Sequence, residues 1–440
     1  MTDPAAFSPA PALGGSSRTA LRIGAGLARR RAAEKRFRAY GLTAIVLALS
    51  FLVLLLGTIF SNGYTAFSQT HLRLDIEFAQ DAIDPEGKGD ANALADGDYQ
   101  ALAKAALRKA FPEVKNRRAK RRLYKLVSGD AAYELQRMVL ADPSLVGQTR
   151  TVWLTASDDI DMLRKGNVAV GLPESQRRIK DDELAWVAAL DKQGAIERRF
   201  DTRFFTGGDS RDPEIAGVWG AVVGSFFTLA VTLILAFPLG VMAAVYLEEF
   251  APSNRWTNLV EVNINNLAAV PSIVFGLLGL AVFLNFLHLP RSAPIVGGIV
   301  LALMTMPTVI IAARASLQAV PPSIREAALG IGASRLQTVT DHVLPLAMPG
   351  VLTGTIIGMA RALGESAPLL MIGMVAFIVD IPKSPFDPAT VLPVQVYLWA
   401  DSPERAFLER TSAAIIVLLA FLIVMNLSAI ILRKKLEKRW

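Results

Sequence analysis

The chain contains no cysteine. Disulfides, thiolate-bound zinc, iron–sulfur clusters and thiol nucleophiles are therefore excluded. Histidine is nearly absent too: His71, His288 and His342 are scattered and leave no His-rich metal centre. No G-x-x-x-x-G-K-[ST] sequence occurs. The nearest candidate, Gly166 to Gly171, continues with Leu172-Pro173, so no P-loop can cradle ATP phosphates and energy must come from a partner. Neither H-E-x-x-H nor G-x-S-x-G appears, and Asp158-Asp159 and Asp181-Asp182-Glu183 read as solvated acidic loops. The chain is expected to be no enzyme and to carry no cofactor of its own. Charge is also scarce, at 19% of 440 residues, against 52% apolar and a mean hydropathy of +0.39. That is too apolar for a cytosolic protein and too charged for membrane spans alone. Six spans of ~20 residues would use ~120 positions and leave room for one soluble domain. The pI near 9.6 comes with basic residues that flank apolar runs, which fits membrane topology and not nucleic acid.

Along the chain, residues 1–40 read as a cytoplasmic tail, Pro/Ala/Ser/Gly-rich and then basic from Arg18 to Arg38. Residues 41–60 form an uncharged run too long for a signal-peptide core, hence a first transmembrane helix with its N-terminus in the cytoplasm. Residues 61–211 read as a soluble α+β insertion outside the cytoplasm. Its helical composition over Ala101–Val127 is broken at Pro112. Strands are expected at Val152–Leu154 and Asn167–Leu172, with a hairpin of Trp186–Leu190 and Ala195–Phe200. Residues 212–433 hold five further spans: Gly217–Leu247, Leu267–Leu287, Ile295–Ala313, Leu346–Val379 (broken at Gly364 and Pro368) and Ala413–Leu432. The basic tail 434–440 and the loop 314–345 then both fall on the cytoplasmic side, as the charge bias requires.

Two helix starts stand in that loop. Ser323 to Glu326, after Pro321-Pro322, is a capping-box sequence, and Ser334 to Gln337 is a second. Gly332 between them suits a turn with positive φ, Pro345 is expected to close the second helix, and Leu336, Val339 and Val343 share one face. The pattern Glu326-Ala327-Ala328, Gly332, then Leu344-Pro345 resembles the EAA loop of ABC-importer permeases, with His342 standing where that family has an aliphatic residue. The resemblance implies that Glu326, Ala327, Ala328, Gly332, Leu344 and Pro345 belong to a coupling element that docks on a cytoplasmic ATPase. A plain amphipathic surface helix pair is the alternative.

The fifth span carries Arg361-Ala362-Leu363-Gly364-Glu365-Ser366-Ala367-Pro368. Arg361 lies roughly 22 Å along the helix from Leu346 at 1.5 Å per residue, so inside the hydrocarbon, where a charge is costly unless paired or facing a path. Glu365, four residues on, can pair with it. Gly364 would admit a close backbone, and Pro368 frees carbonyls. Arginine's planar fork suits tetrahedral oxyanions. A neighbouring carboxylate can accept a hydrogen bond from hydrogen phosphate but not from sulfate. A purely structural ion pair is the competing reading.

This segment together with the loop is similar to the phosphate-specific permeases of the Pst system, in the order of the PstA-type subunit, over roughly Gly217–Arg433. The resemblance implies an all-α integral membrane protein of six transmembrane helices with a MetI-like ABC permease core. The small extracytoplasmic α+β domain is inserted between helices 1 and 2. It further implies a PstC-type permease partner, two PstB-type ATPases holding ATP and Mg2+, and a periplasmic phosphate-binding protein. Arg361, Glu365 and Ser366 would line the substrate pathway in the bacterial inner membrane. Arg314 stands where many relatives have an acidic residue and is expected to snorkel to the interface. Other oxyanions or an organic substrate remain open as cargo. A receptor leaves four further spans unexplained, and a secondary transporter would be expected to show internal repeats. The basic run Arg117–Lys125 could face an acidic protein, anionic headgroups or only solvent.

Overall fold

An apolar run without charge satisfies its backbone only by coiling on itself, and Gly41–Phe60 lies within one helix, Ser16–Gly63, in a computed structural model of the chain. The structure describes residues 16–168 and 170–436. Of the tail at 1–40, read as disordered over 1–17, residues 1–15 lie outside them, as do residues 437–440, while from Ser16 onward the tail is helical and not disordered. The chain divides into two compact units, one ending at Ile59 and one from Phe60 onward. In the first unit nearly every side chain of the apolar run is exposed.

The second unit begins with the inserted domain. Strand β1, Ser68–Glu77, alternates from Leu72 on: Leu72, Leu74 and Ile76 are buried while Arg73, Asp75 and Glu77 face out. Among the described residues it is the centre of a three-stranded antiparallel sheet, ordered β2-β1-β3, with β2 at Thr149–Thr155 and β3 at Ile196–Phe200. Helices Tyr99–Ala110, Ala131–Ala141 and Asp181–Lys192 cover one face, through Leu102, Leu107, Leu135, Val139, Trp186 and Leu190.

The expected hairpin does not form. Trp186–Leu190 is helical because Asp181, Asp182 and Glu183 occupy a helix's first turn. The Glu183 carboxylate also accepts from the Lys180 N–H at 2.7 Å, and Trp186, Val187 and Leu190 repeat at helical spacing. Strand β3 pairs instead with β1, Ser68 opposite Phe200. Asn167–Val168 and residues 170–172 form turns and not a strand, and Ala169 lies outside the described residues. The helix break at Pro112 is present, between Tyr99–Ala110 and Arg117–Leu123.

Buried ions fasten this domain to the last long helix, Ala406–Leu436. Arg410 is sealed from solvent and donates to Asp201 at 2.7 Å, to Gln69 at 3.2 Å and to the carbonyls of Ala66 and Glu214 at 3.4 and 3.2 Å. Beside it the fully buried Lys165 bridges Asp161 at 2.5 Å and Glu409 at 2.9 Å. Asp161 in turn accepts from the backbone of Thr70 at 2.8 Å.

Glu214 lies in the same junction, and burial pushes its carboxyl from 4.5 up to about 7, against the Ser128 hydroxyl that favours the charged form. Nearby Asp158 and Asp212 raise it further. A folded-state value above the unfolded one means that this group's contribution is complete below pH 4.5 and is lost as pH rises through 7. Glu214→Gln is expected to flatten that dependence and to raise the pH 8 stability by up to ~3 kcal/mol. Thermal unfolding at pH 5 and pH 8 measures it, and equal pH slopes in variant and wild type would refute it.

The remaining helices are mostly long and apolar. Trp219–Val245 runs through Pro238 and ends in a wider π turn, Tyr246–Phe250. Pro294–Gln318 runs through Pro307. Between them the span expected at Leu267–Leu287 is shorter than drawn. An amphipathic helix, Arg255–Ala268, meets Ser272–Phe286 at a 102° bend next to Pro271. Proline removes a donor and disfavours helix at the residue before it. Among the described residues five helices are long and apolar enough to cross a membrane, or six with the bent pair as one.

Candidate functional site

The loop after Pro294–Gln318 turns into a helix at Pro322–Gly330. The first capping box is not made. Pro322 takes the first helical position, so Ser323 already lies inside the helix and its side chain caps nothing. The second box is made: Ser334 Oγ accepts from the Gln337 N–H at 3.2 Å, and Gln337 Oε1 accepts from the Ser334 N–H at 2.9 Å. Gly332 has φ +92°, the left-handed turn its position required.

Pro345 does not close the second helix. It sits in the first turn of Leu344–Gly364, where a missing N–H costs little, and the chain stays helical from Arg335 to Gly364. Val339 and Val343 are buried as expected, but Leu336 is 62% exposed. With Ile331, 83% exposed, and Leu329 it forms an apolar knuckle around the turn. Glu326, Ala327, Gly332 and His342 are exposed too, whereas Ala328 is buried and Leu344 and Pro345 are half-buried. Glu326 makes no side-chain hydrogen bond or ion pair among the described residues.

At the other end of the same helix the backbone leaves helical geometry at Glu365, with ψ 117°. A short helix, Ala367–Met371, follows, and beyond Gly373 the chain is irregular up to Leu392–Ala400. The expected span Leu346–Val379 is therefore a helix as far as Gly364 and a folded-back segment after it. That segment is seated on glycines: a Cβ on Gly276 would lie 2.7 Å from Pro368 Cα and 2.9 Å from Met371 Cβ. Gly364, by contrast, has nothing within 4 Å of where its Cβ would stand, so among the described residues no backbone approaches it.

Arg361 Nε stands 3.7 Å from Glu365 Oε1, with the arginine side chain 56% and the glutamate 23% exposed. Ser366 is half-buried beside them. Ala362 and Leu363 back this pair against Ser225, Thr228 and Leu229. Thr228 is about 14 Å along its helix from Trp219, so the pair sits well below the end of that apolar helix. The long contact and the open arginine leave most guanidinium donors free.

Arg314 does not snorkel. It donates to Glu261 at 2.9 Å and to Glu248 at 3.4 Å. Arg325 in the loop helix takes both oxygens of Glu249, at 2.6 and 3.2 Å, and donates to the carbonyls of Leu317 and Val320 at 2.9 and 2.8 Å. For Glu248 and Glu249 the sequence signal is a doubled acidic residue closing an otherwise uncharged run, whereas Glu261 has no such mark.

The long helices on either side of the loop, and the loop itself, lie in a stretch that matches the MetI-like class of ABC permease subunits. Residues 236–440 match the family described as binding-protein-dependent transport system inner membrane component. Phosphate transport system permease protein PstA 1 of Mycobacterium tuberculosis (strain CDC 1551 / Oshkosh) is 32% identical over 217 residues, which cover 49% of this chain and 70% of that protein. PstA of Mycobacterium leprae is 33% identical over 212 residues, 48% of this chain and 68% of that one. The chain belongs to the PstA family of phosphate transport system permeases. Among solved structures, the inward-facing MetNI methionine ABC transporter is similar at 19% identity and a TM-score of 0.41, over 50% of this chain and 98% of that one. Residues 24–174 match a second family, described as a domain of unknown function (DUF3333). Its stretch stops before β3, so the folded domain extends past the matched residues.

Proposed function

We propose that the chain is one transmembrane subunit of an ABC importer that moves inorganic phosphate into the cytoplasm. The observation that carries the cargo is the Arg361–Glu365 pair on an open helix face at the broken end of an apolar helix, in a chain of the PstA family. An arginine fork with free donors binds two phosphate oxygens. Glu365 neutralises it when empty and accepts a hydrogen bond from the P–OH of hydrogen phosphate when loaded, which sulfate cannot offer. Ser366 adds a hydroxyl at the same level.

Six crossings, with the bent pair as the third, put both termini and the 314–345 loop in the cytoplasm and the inserted domain outside. The domain bounds follow: tail 1–40, span 41–60, insertion 61–211, core 212–433 and basic end 434–440. The loop's knuckle, with Glu326 unpaired beside it, fits a groove on a PstB-type ATPase dimer that holds ATP and Mg2+. The bare Arg361 face fits a PstC-type permease, so that the path forms between the two subunits. A phosphate-binding protein delivers from outside. Docking by Glu326 to a basic residue of the ATPase replaces the capping role expected of it.

Uptake of labelled phosphate at low micromolar concentration, in cells with and without the gene and with excess unlabelled sulfate, tests the reading. Gene-dependent uptake that ignores sulfate is expected in cells lacking other phosphate importers. Unchanged uptake in such cells, or full competition by sulfate, overturns the cargo.

A further inference from the structure

Five charged side chains from four helices meet on the face that carries the docking loop. Glu248 and Glu249 close the Trp219–Phe250 helix, at the pole where a carboxylate is disfavoured by the helix dipole. They are retained there with two arginines. Arg325 reaches from the loop helix to Glu249 through its Nε and one terminal nitrogen, in the forked geometry that fixes orientation as well as distance. Its remaining donors cap Leu317 and Val320 at the end of Pro294–Gln318. Arg314, one turn earlier in that helix, ties Glu248 to Glu261 of Arg255–Ala268, and Gln318 adds a bond to Glu248 at 2.9 Å. Beneath lies an apolar cluster of Ala244, Ile310, Ala313, Leu317, Val320 and Val343, with Ile324 of the loop helix packed on it. Glu249 is nearly buried, so these bonds are shielded from water and salt.

We infer that Glu249 and Arg325 are positioning residues that lock the ATPase-docking helix to the inner ends of two spans, so that a push on the loop moves those spans as one body. Without the lock the helix would rest on its apolar floor alone, which is non-directional, and would slide under load. The inference rests on the importer reading for its purpose, but its geometry can be tested without cargo. Because the chain has no cysteine, Ser253→Cys and Ser323→Cys give a unique labelling pair, one beside the Glu249 turn and one on the loop helix.

In the full complex with cysteine-free partners, spin labels at these sites are expected to show one narrow distance, the same without nucleotide and with ATP trapped. Glu249→Gln and Arg325→Lys are expected to broaden it. In both variants the ATPase should co-purify in full, while phosphate taken up per ATP hydrolysed falls roughly tenfold. A wild-type distance that changes on ATP binding overturns the proposal, as do variants with the narrow distance retained. ATPase loss in step with uptake would also overturn it, by making the pair merely a docking element. A wild-type complex that moves no phosphate would sink the importer reading, while the distances still decide the lock.

Discussion

Arg361→Ala is expected to abolish phosphate uptake by a complex that still assembles and still hydrolyses ATP. The arginine is 56% exposed and touches Glu365 only at 3.7 Å, so its removal breaks little within this chain. What it removes is the cation at that level of the helix. It also leaves Glu365 as an unopposed carboxylate there, which repels an incoming anion. Arg361→Lys keeps the charge but loses the fork. One charge-assisted hydrogen bond is worth about 1.5–3 kcal/mol, so a roughly ten- to hundredfold loss of uptake is expected from the lysine variant. Glu365→Gln keeps the shape and an acceptor but gains an N–H donor that sulfate can use; sulfate should then compete. Transport in vesicles, with ATPase activity and subunit stoichiometry measured on the same preparation, separates these outcomes. Normal uptake by the alanine variant would sink the assignment, and a loss that merely tracks failed assembly would make the pair a structural one.

The features legible in the sequence were those with a local cause. Uncharged runs gave the long helices, because backbone satisfaction in lipid leaves few alternatives. Gly332 and the Ser334–Gln337 box are short-range devices, and both appear in the structure. Misreadings cluster where a local signal has two outcomes. Ser323 looked like a cap, but two prolines ahead of it start the helix earlier. Trp186–Leu190 is apolar enough for a strand, yet its three acidic neighbours set a helix start. Long-range partners left no local mark at all. Nothing near Arg325 announces Glu249, and nothing near Arg410 announces Asp201; only folding brings together residues so far apart in the chain.

Arg410→Met should destabilise the assembled protein by about 3–5 kcal/mol, the cost of leaving a buried charge without its partner. Asp201 is as deeply buried as Arg410, and the carbonyls of Ala66 and Glu214 would lose a donor with it. Asp201 also caps the turn Thr202–Thr206, accepting from the Phe204 N–H at 3.1 Å. Asp201→Asn can keep that cap while dropping the charge, so the double variant Arg410→Met with Asp201→Asn should be more stable than Arg410→Met alone. Such recovery is expected only if the damage comes from the orphaned carboxylate. Glu409, the residue before Arg410 on the same helix, carries an ion pair of its own to Lys165 of the inserted domain, so the domain should loosen without unfolding. Proteolysis is the sharper readout. In the wild type the segment 201–217 is held under Arg410 and should resist cleavage, and in Arg410→Met it should be cut at temperatures where the spans remain intact. Protection equal to wild type would mean that the inserted domain is held on the last helix by apolar packing alone. Selective cleavage would mean that this domain is a rigid extension of that helix and moves wherever the transport cycle takes it.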